Sequence, residues 1–431
     1  MQLKKLGNAI PKTRWYRIGF FLFLVYLFAF IDRSNIGMAA PSMTSELGLS
    51  SREMGFLLSA FFLGYILTQM PGGWIAQRFS AKWVIIFATT LFGVFSGLTG
   101  FMQSIESLVA VRFLLGLAEG AMWPSFMVLT IKWFPVNERA QISGLFLLAV
   151  PLSSVVLSPF AGWMIDMWDW KMMFFLQALP PIILAVLAIF LLTDDPAEDK
   201  RLSETEREFI LKNRGIQTND VSTQKQPFVK SILSSRLWAL GFIYLFWLTG
   251  LYAYGLWLPT VVKSINGGTL TTVGLLSALP PLLGSISMFI NSRLSDRKMT
   301  RGKYVAWPLT LGGTALLVSY FIHDPVLSYL LLCISAIGIY TPFGAWWAWC
   351  LDNIPPEHTG SHNGFINLFG NFGGVIGPPI VAFASVGSNI GSGFYILGFG
   401  MLLAALLSVL LSISTNRDKA LEQIAVKPPS L

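Results

Sequence analysis

The sequence predicts an all-α polytopic membrane protein with twelve transmembrane helices in two six-helix bundles. Three observations carry that expectation. Of the 431 residues, 54% are hydrophobic and only 12% charged, and the mean hydropathy is +0.62; an ordinary soluble chain is about 25% charged. Apolar runs recur from Gly19 to Ser414, each close to the ~20 residues that cross ~30 Å of hydrocarbon as a helix. One long hydrophilic stretch parts these runs six and six.

Taken in order, the first run (19–40) follows a basic leader of Lys4, Lys5, Lys12, Arg14 and Arg17. It has no small-residue cleavage site and is longer than a signal-peptide core, so it reads as a retained span. Spans at 54–76, 83–102, 108–131, 140–164 and 172–193 complete an amino-terminal bundle, residues 1–193. A cytoplasmic linker occupies 194–236. It opens acidic with Asp194, Asp195, Glu198 and Asp199. Ser203, three residues before Glu206, fits a capping box and predicts a short surface helix from Glu204 to Asn213. A Gln/Thr/Ser/Asn-rich link to Lys225 follows, and the whole linker is expected to be solvated. Spans at 237–261, 270–292, 304–322, 326–351, 362–385 and 391–414 form a carboxy-terminal bundle within 237–416, leaving a cytoplasmic tail at 417–431. Cys333 and Cys350 both fall in spans, so no disulfide framework is implied.

The net charge of +8 is not a nucleic-acid signal, because its distribution accounts for it. Most of the lysines and arginines fall in the amino terminus, the 2–3, 4–5 and 8–9 loops, the linker and the tail. Only Arg52, Lys171 and Lys263 fall in loops on the other side. This positive-inside bias places both termini and the linker in the cytoplasm, in a cell (inner) membrane protein with the lipid bilayer as its surroundings.

The halves also look like copies. Gly-Gly-Trp-Ile-Ala-Gln-Arg-Phe-Ser-Ala-Lys (72–82) follows span 2, and Asn-Ser-Arg-Leu-Ser-Asp-Arg-Lys-Met-Thr-Arg (291–301) follows span 8. Arg78 and Arg297 stand at the same offset as the first spans of the two halves. Repeats of this kind place a transporter's substrate site near the bilayer midplane.

Four ionisable residues lie within spans: Asp32, Arg33, Arg112 and Glu119. A charge at that depth costs roughly 2.5–3.5 kcal/mol on insertion scales, and intramembrane charges are functional by default. Asp32 and Arg33 are adjacent and point about 100° apart on a helix, so they face different neighbours. Arg112 and Glu119 are nearly two turns apart and share a face. Gly116 and Gly120 beside them read as close-packing residues. The planar fork of Arg33 suits a carboxylate and keeps its charge. A carboxyl held between desolvation and a neighbouring guanidinium can bind and release a proton. The second half offers aromatic and amide groups: Tyr244, Trp247, Tyr252, Tyr254 and Trp257 in span 7, Trp346, Trp347 and Trp349 in span 10, and a stripe of Asn363, Asn367 and Asn371 in span 11. A polar stripe in a span faces protein or water. His358 and His362 lack a third ligand and make a poor metal site. No P-loop, nucleophile elbow or dinucleotide fingerprint occurs, so no enzyme and no cofactor is implied.

The 6+6 layout and its paired basic loops resemble the major facilitator superfamily. Its loop motif is Gly-x-x-x-Asp-x-x-Gly-Arg/Lys-Arg/Lys. This chain has Gly73, then Gln77 for Asp, Ser80 for Gly, and Lys82; the second copy keeps Asp296 and Arg297 but has Ser292 for Gly. Within the superfamily the chain is similar to the anion:cation symporters, which take up sugar acids and other organic anions with protons. The likeness rests on Phe-Ile-Asp-Arg-Ser-Asn-Ile (30–36), Ser-Ala-Phe-Phe-Leu-Gly-Tyr (59–65), Pro-Gly-Gly-Trp (71–74), Arg-Phe-Leu-Leu-Gly-Leu-Ala-Glu-Gly (112–120), Trp-Phe-Pro-x-x-Glu-Arg (133–139) and Trp-Leu-Pro-Thr (257–260).

The resemblance implies a proton-coupled symporter importing a small organic anion by alternating access, with a hexuronate, aldonate or aldarate first among candidates. It implies proton coupling at Asp32 and Glu119. The candidate substrate-binding set is Arg33, Tyr65, Arg112, Tyr244, Trp347 and Asn367; the gating set is Arg78, Lys82, Asp296 and Arg297. Val150 stands where the family often has a polar residue in span 5. Expected partners are the anion, protons and lipid, with no nucleic acid, in a monomer. The alternatives are an importer of an aromatic or dicarboxylic acid anion and a drug/proton antiporter. A phosphate-ester antiporter would be expected to carry an arginine in span 7, which is absent.

Overall fold

The structure is a computed structural model, and it describes residues 11–215, 234–298, 300–354, 359–385, 387 and 389–426. Lys4, Lys5, the link to Lys225, His358 and the end of the tail lie outside the described residues.

A π-helical turn (Trp15–Gly19) leads into α1 (Phe20–Leu47). Then come α2 (Ser51–Arg78), α3 (Ala81–Thr99), α4 (Ile105–Glu119), α5 (Met122–Trp133), α6 (Arg139–Met167) and α7 (Trp170–Leu191). The linker helix is α8 (Glu204–Asn213). The second half holds α9 (Ser235–Asn266), α10 (Leu270–Lys298), α11 (Arg301–Ser319), α12 (Pro325–Tyr340), α13 (Phe343–Asn353), α14 (Thr359–Ala384) and α15 (Phe394–Val426).

Two expected spans are broken. The fourth is α4 and α5, parted at Gly120–Ala121, and the tenth is α12 and α13, parted at Thr341–Pro342. The breaks fall at matching places in the two halves. Helix pairing repeats as well: α1 packs on α6 and α3 on α7 in the first half, and α9 packs on α14 and α11 on α15 in the second. The internal repeat read from the loops is therefore present in the packing.

Among the described residues, 11 helices are long and apolar enough to cross a membrane. The expected span 304–322 is the helix α11, which falls outside those 11 because it opens on Arg301, Gly302, Lys303 and Tyr304. It still runs through the interior of its half, with Val305, Leu309 and Leu316 fully buried.

The chain divides into two units, one of residues 1–49 and 60–223, the other of residues 50–59 and 224–431. The linker's first part goes with the first unit because it is anchored there. Ser203 accepts a hydrogen bond from the Glu206 N–H at 3.2 Å, capping α8 as expected. Glu206 does not complete the box; its carboxylate is buried and accepts from the backbone N–H groups of Thr13 (3.2 Å) and Arg14 (3.0 Å) and from Arg14 Nη1 (2.9 Å). Arg14 also donates to Glu138 through Nε (2.9 Å) and Nη2 (2.6 Å). The expected solvated linker is therefore docked at particular acids, since Asp199 and Glu206 are buried and Glu206 satisfies N–H groups at the start of the first span. Residues 50–59 go with the second unit through Gly55, whose Cβ position lies 3.2 Å from the Pro378 carbonyl, and Phe56, whose ring lies 5.9 Å from that of Phe383.

Candidate functional site

In the first unit, glycines set the spacing that creates the site. A Cβ at Gly116 would collide with the Phe61 carbonyl, one at Gly64 would lie 2.8 Å from the Leu117 nitrogen, and one at Gly120 would strike Thr68 and the Tyr65 carbonyl. Backbone-to-backbone contact between α2 and α4 follows, as small-residue interfaces in membranes allow. This contact sets Phe61 and Tyr65 of α2 beside Glu119 of α4.

Arg33 from α1 closes the group. Its Nη2 donates to Glu119 Oε2 at 3.1 Å. Its guanidinium carbon lies 4.4 Å from the Phe30 ring centre, 4.9 Å from Phe61 and 4.7 Å from Tyr65. Each such ring contact contributes about 0.5–2 kcal/mol, which helps offset the desolvation of a buried guanidinium.

Asp32 turns the other way, as the 100° offset requires. Its Oδ1 accepts from Asn35 Nδ2 at 2.8 Å and from the Ser96 hydroxyl of α3. Arg112 Nη2 donates to Asn35 Oδ1 at 2.7 Å, and its Nη1 to the Asp32 backbone carbonyl at 3.2 Å. Arg112 thus shares a face with Glu119, both reaching α1, but it forms no ion pair with the Asp32 carboxylate. It braces α1 through Asn35. Asp32 Oδ2 and Glu119 Oε1 are buried and have no hydrogen-bond partner among the described residues. Each acid therefore keeps one oxygen uncommitted.

In the second unit Tyr244 is buried, stacked on Trp346 (5.1 Å between ring centres, 9° between planes) and edge-on to Trp347 at 5.5 Å. Asn371 Nδ2 donates to the backbone carbonyl (3.0 Å) and Oδ1 (2.6 Å) of Asn367, and the Tyr252 hydroxyl donates to Asn371 Oδ1 at 3.2 Å. The asparagine stripe is thus partly internal glue. Asn363 Oδ1 has no partner among the described residues.

Of the gating set, Arg78, Asp296 and Arg297 are exposed, and Asp296 and Arg297 form no ion pair among the described residues. Around Lys82 the acid is Asp194, which accepts from Ser80 Oγ (2.5 Å) and the Lys82 N–H (3.0 Å) at the start of α3. Ser96, Phe30, Phe61, Asp194 and Glu206 were not singled out from the sequence for these contacts. Only the intramembrane Ser96 carries even a weak signal, as one of four hydroxyl residues on a mostly apolar helix.

Buried charge networks inside long apolar helices are the features of a membrane transport protein. The family model described as Major Facilitator Superfamily matches residues 22–378, and the chain belongs to that superfamily. It is 31% identical over 410 residues to a "Putative tartrate transporter" of Agrobacterium vitis, covering 93% of this chain and 91% of that one. It is 29% identical to the "Probable galactarate/D-glucarate transporter GudP" of Bacillus subtilis (strain 168), covering 95% and 94%, and 28% identical to a "Quinolone resistance transporter" of Acinetobacter baumannii, covering 92% and 94%. The tartrate and galactarate/D-glucarate transporters among these are consistent with the anion:cation symporter branch that the motifs resemble. In fold it is similar to a D-xylose-proton symporter, with a TM-score of 0.72 at 15% identity, over 91% of this chain and 97% of that one.

Proposed function

We propose that this protein is a secondary transporter that imports a small organic anion, a sugar acid foremost, together with protons. The Arg33–Glu119 pair carries the reading. A permanent cation with a planar fork is held against a protonatable acid inside a span, and binding of a carboxylate to Arg33 competes with Glu119 for the same guanidinium. Protonation of Glu119 releases Arg33 to the cargo; deprotonation takes it back. Asp32 supplies a second protonation site through its uncommitted oxygen, while Tyr65, Tyr244, Trp347 and Asn367 shape the cargo's surroundings and Arg112 orients α1. The names of the organic-acid-transporting relatives support the substrate class. The working form is a monomer in the cell (inner) membrane with both termini cytoplasmic, and the residues around 78–82 and 296–297 take part in its gating.

The test is Glu119→Gln in proteoliposomes loaded with glucarate or tartrate. Proton-driven accumulation is lost and counterflow exchange persists. A variant that concentrates the anion like wild type sinks the coupling role. The drug-exporter reading has one observation in its favour, the quinolone-resistance relative. It requires quinolone efflux against a proton gradient from the same liposomes.

A further inference from the structure

One buried amide in the second unit answers for two carbonyls that prolines have left without donors. Asn291 of α10 is 7% exposed, and its Nδ2 donates to the Tyr304 carbonyl at 3.0 Å and to the Thr341 carbonyl at 3.2 Å. Both partners only accept, so the nitrogen end faces them, and its two hydrogens match them one to one. In an unbroken helix the Tyr304 carbonyl would accept from residue 308, but Pro308 of α11 has no N–H. The Thr341 carbonyl would accept from Ala345, but at the break between α12 and α13 the Ala345 N–H goes to the Pro342 carbonyl at 3.0 Å. A buried carbonyl with no donor is costly, and the helix that supplies the donor also lies flush on the break. A Cβ at Gly284 of α10 would sit 2.6 Å from the Tyr340 ring, one at Gly344 of α13 would sit 2.8 Å from Ser292 Cβ, and the Ser287 and Thr341 hydroxyls share a hydrogen bond. Close packing by itself does not require the amide. At the matching place in the first half α2 brings Gly72 against the break, where a Cβ would lie 2.3 Å from that of Ala121.

We infer that Asn291 is a positioning residue that fixes the angle at which α13 leaves the break, and with it the place of Trp346 and Trp347 against Tyr244. The inference rests on the proposed site including Trp347. Helix α13 begins at Phe343 and carries Trp346, stacked on Tyr244 at 5.1 Å, and the half-buried Trp347, edge-on to it at 5.5 Å. From Thr341 to Trp347 the axis rises about 9 Å at ~1.5 Å per residue, so a swing of about 10° at the break moves Trp347 by about 1.6 Å. A proline break is where a helix bends most readily. The amide removes that freedom by tying Thr341 to α11, since any swing of α13 stretches a bond that has no replacement. Helix packing alone would hold the break in place without coupling it to Tyr304.

The experiment uses the full-length protein, in detergent for melting and in proteoliposomes with labelled glucarate for transport. Asn291→Ala strands both carbonyls and should lower the melting temperature by about 8 °C. Pro308→Ala restores an N–H for the Tyr304 carbonyl within α11 itself, so in that background Asn291→Ala strands only the Thr341 carbonyl and the fall should be about 4 °C. Should Asn291→Ala fold in neither background, Asn291→Ser, which keeps one donor, is read by the same pair of melts. In transport, Asn291→Ala should raise the KM for glucarate about fivefold, equivalent to about 1 kcal/mol, with the maximal rate within about twofold. In a Trp347→Ala background it should add nothing further to KM. Equal melting shifts with and without Pro308 overturn the two-carbonyl account. A KM that stays at the wild-type value, or one that multiplies in the Trp347→Ala background, overturns the positioning role and leaves Asn291 with helix packing alone. A wild-type protein that carries neither glucarate nor tartrate removes the proposed function, and the pair of melts still decides whether Asn291 serves both carbonyls.

Discussion

Glu206 offers the sharpest test of how the first unit is held together. It is fully buried and accepts three hydrogen bonds from the start of the first span, two from the otherwise unpaired N–H groups of Thr13 and Arg14 and one from the Arg14 guanidinium. It therefore caps that helix from a linker helix 192 residues away in sequence. Glu206→Ala strands one buried and one part-buried donor, at about 1–3 kcal/mol for a fully buried one, and removes one carboxylate from Arg14. Arg14 still holds Glu138 at 2.6 Å, so the loss falls below the ~3–5 kcal/mol of a buried ion left wholly unpaired added to the two stranded donors. A net loss of about 3 kcal/mol follows. At roughly 2–4 °C per kcal/mol for a unit of this size, the melting temperature of detergent-purified protein falls by about 6–12 °C in a fluorescence thermal-shift assay. Glu206→Gln retains acceptor oxygen and shape and should fall by about half as much. A Glu206→Ala protein melting within about 2 °C of wild type refutes the capping argument.

Other outcomes follow from the same geometry. Gly116→Ala places a methyl group into the Phe61 carbonyl, whereas Gly255→Ala meets nothing within 4 Å; the first should lose most folded protein in size-exclusion profiles and the second should match wild type. Asp194→Ala removes the acceptor of the Lys82 N–H at the start of α3 while Ser80 still caps the Trp83 N–H, and should cost about 1 kcal/mol, read as a melting shift of a few degrees. Arg112→Lys gives up the fork that spans Asn35 and the Asp32 carbonyl; the maximal transport rate should fall well beyond any change in KM, and a change confined to KM would restore a direct substrate role. Burial alone would lower the Arg14 guanidinium, but Glu138 and Glu206 overcome it and hold it above its ordinary value. A raised folded value confers stability that is present below the ordinary value and is lost only as pH rises past it. The melting shift between wild type and Arg14→Gln should therefore be constant from pH 6 to pH 9, and a shift that collapses within that range contradicts it.

How much of this was legible in the sequence depends on which property a residue type encodes. Span positions and the repeat were readable because both follow from apolar run length and loop chemistry. The intramembrane acids and arginines stood out because their cost in hydrocarbon marks them singly. Partners were harder. Ser96 is 64 residues from Asp32, and nothing in the apolar helix around it says which acid it serves. The breaks at Gly120–Ala121 and Thr341–Pro342 lie inside runs that are long and apolar enough overall to read as single spans. The docked linker was missed for a related reason. Asp194, Asp199 and Glu206 look like any soluble acids until their donors are placed beside them: the Lys82 N–H, the Arg17 guanidinium and the N–H groups of Thr13 and Arg14.

The two intramembrane acids bear on a last prediction. Adjacent positions on α1 send Asp32 towards Ser96 and Asn35 and Arg33 towards Glu119 and three rings. The Asp32 and Glu119 carboxyls share no hydrogen bond and no ion-pair partner in the structure. Sites more than about 7–10 Å apart with no shared partners usually add in stability within about 0.3–0.5 kcal/mol, and the division along α1 treats these two networks as such sites. Asp32→Asn and Glu119→Gln should therefore add in melting free energy, whatever each does alone. Transport obeys a different rule, because both acids act on one helix. If protons at the two sites serve one cycle, the double variant should transport no worse than the poorer single one. Additive stability with non-additive transport would locate the coupling in movement of α1 rather than in a bond between the acids. Strong non-additivity in stability, above about 1 kcal/mol, would mean that the two networks are one and that the division along this helix is wrong.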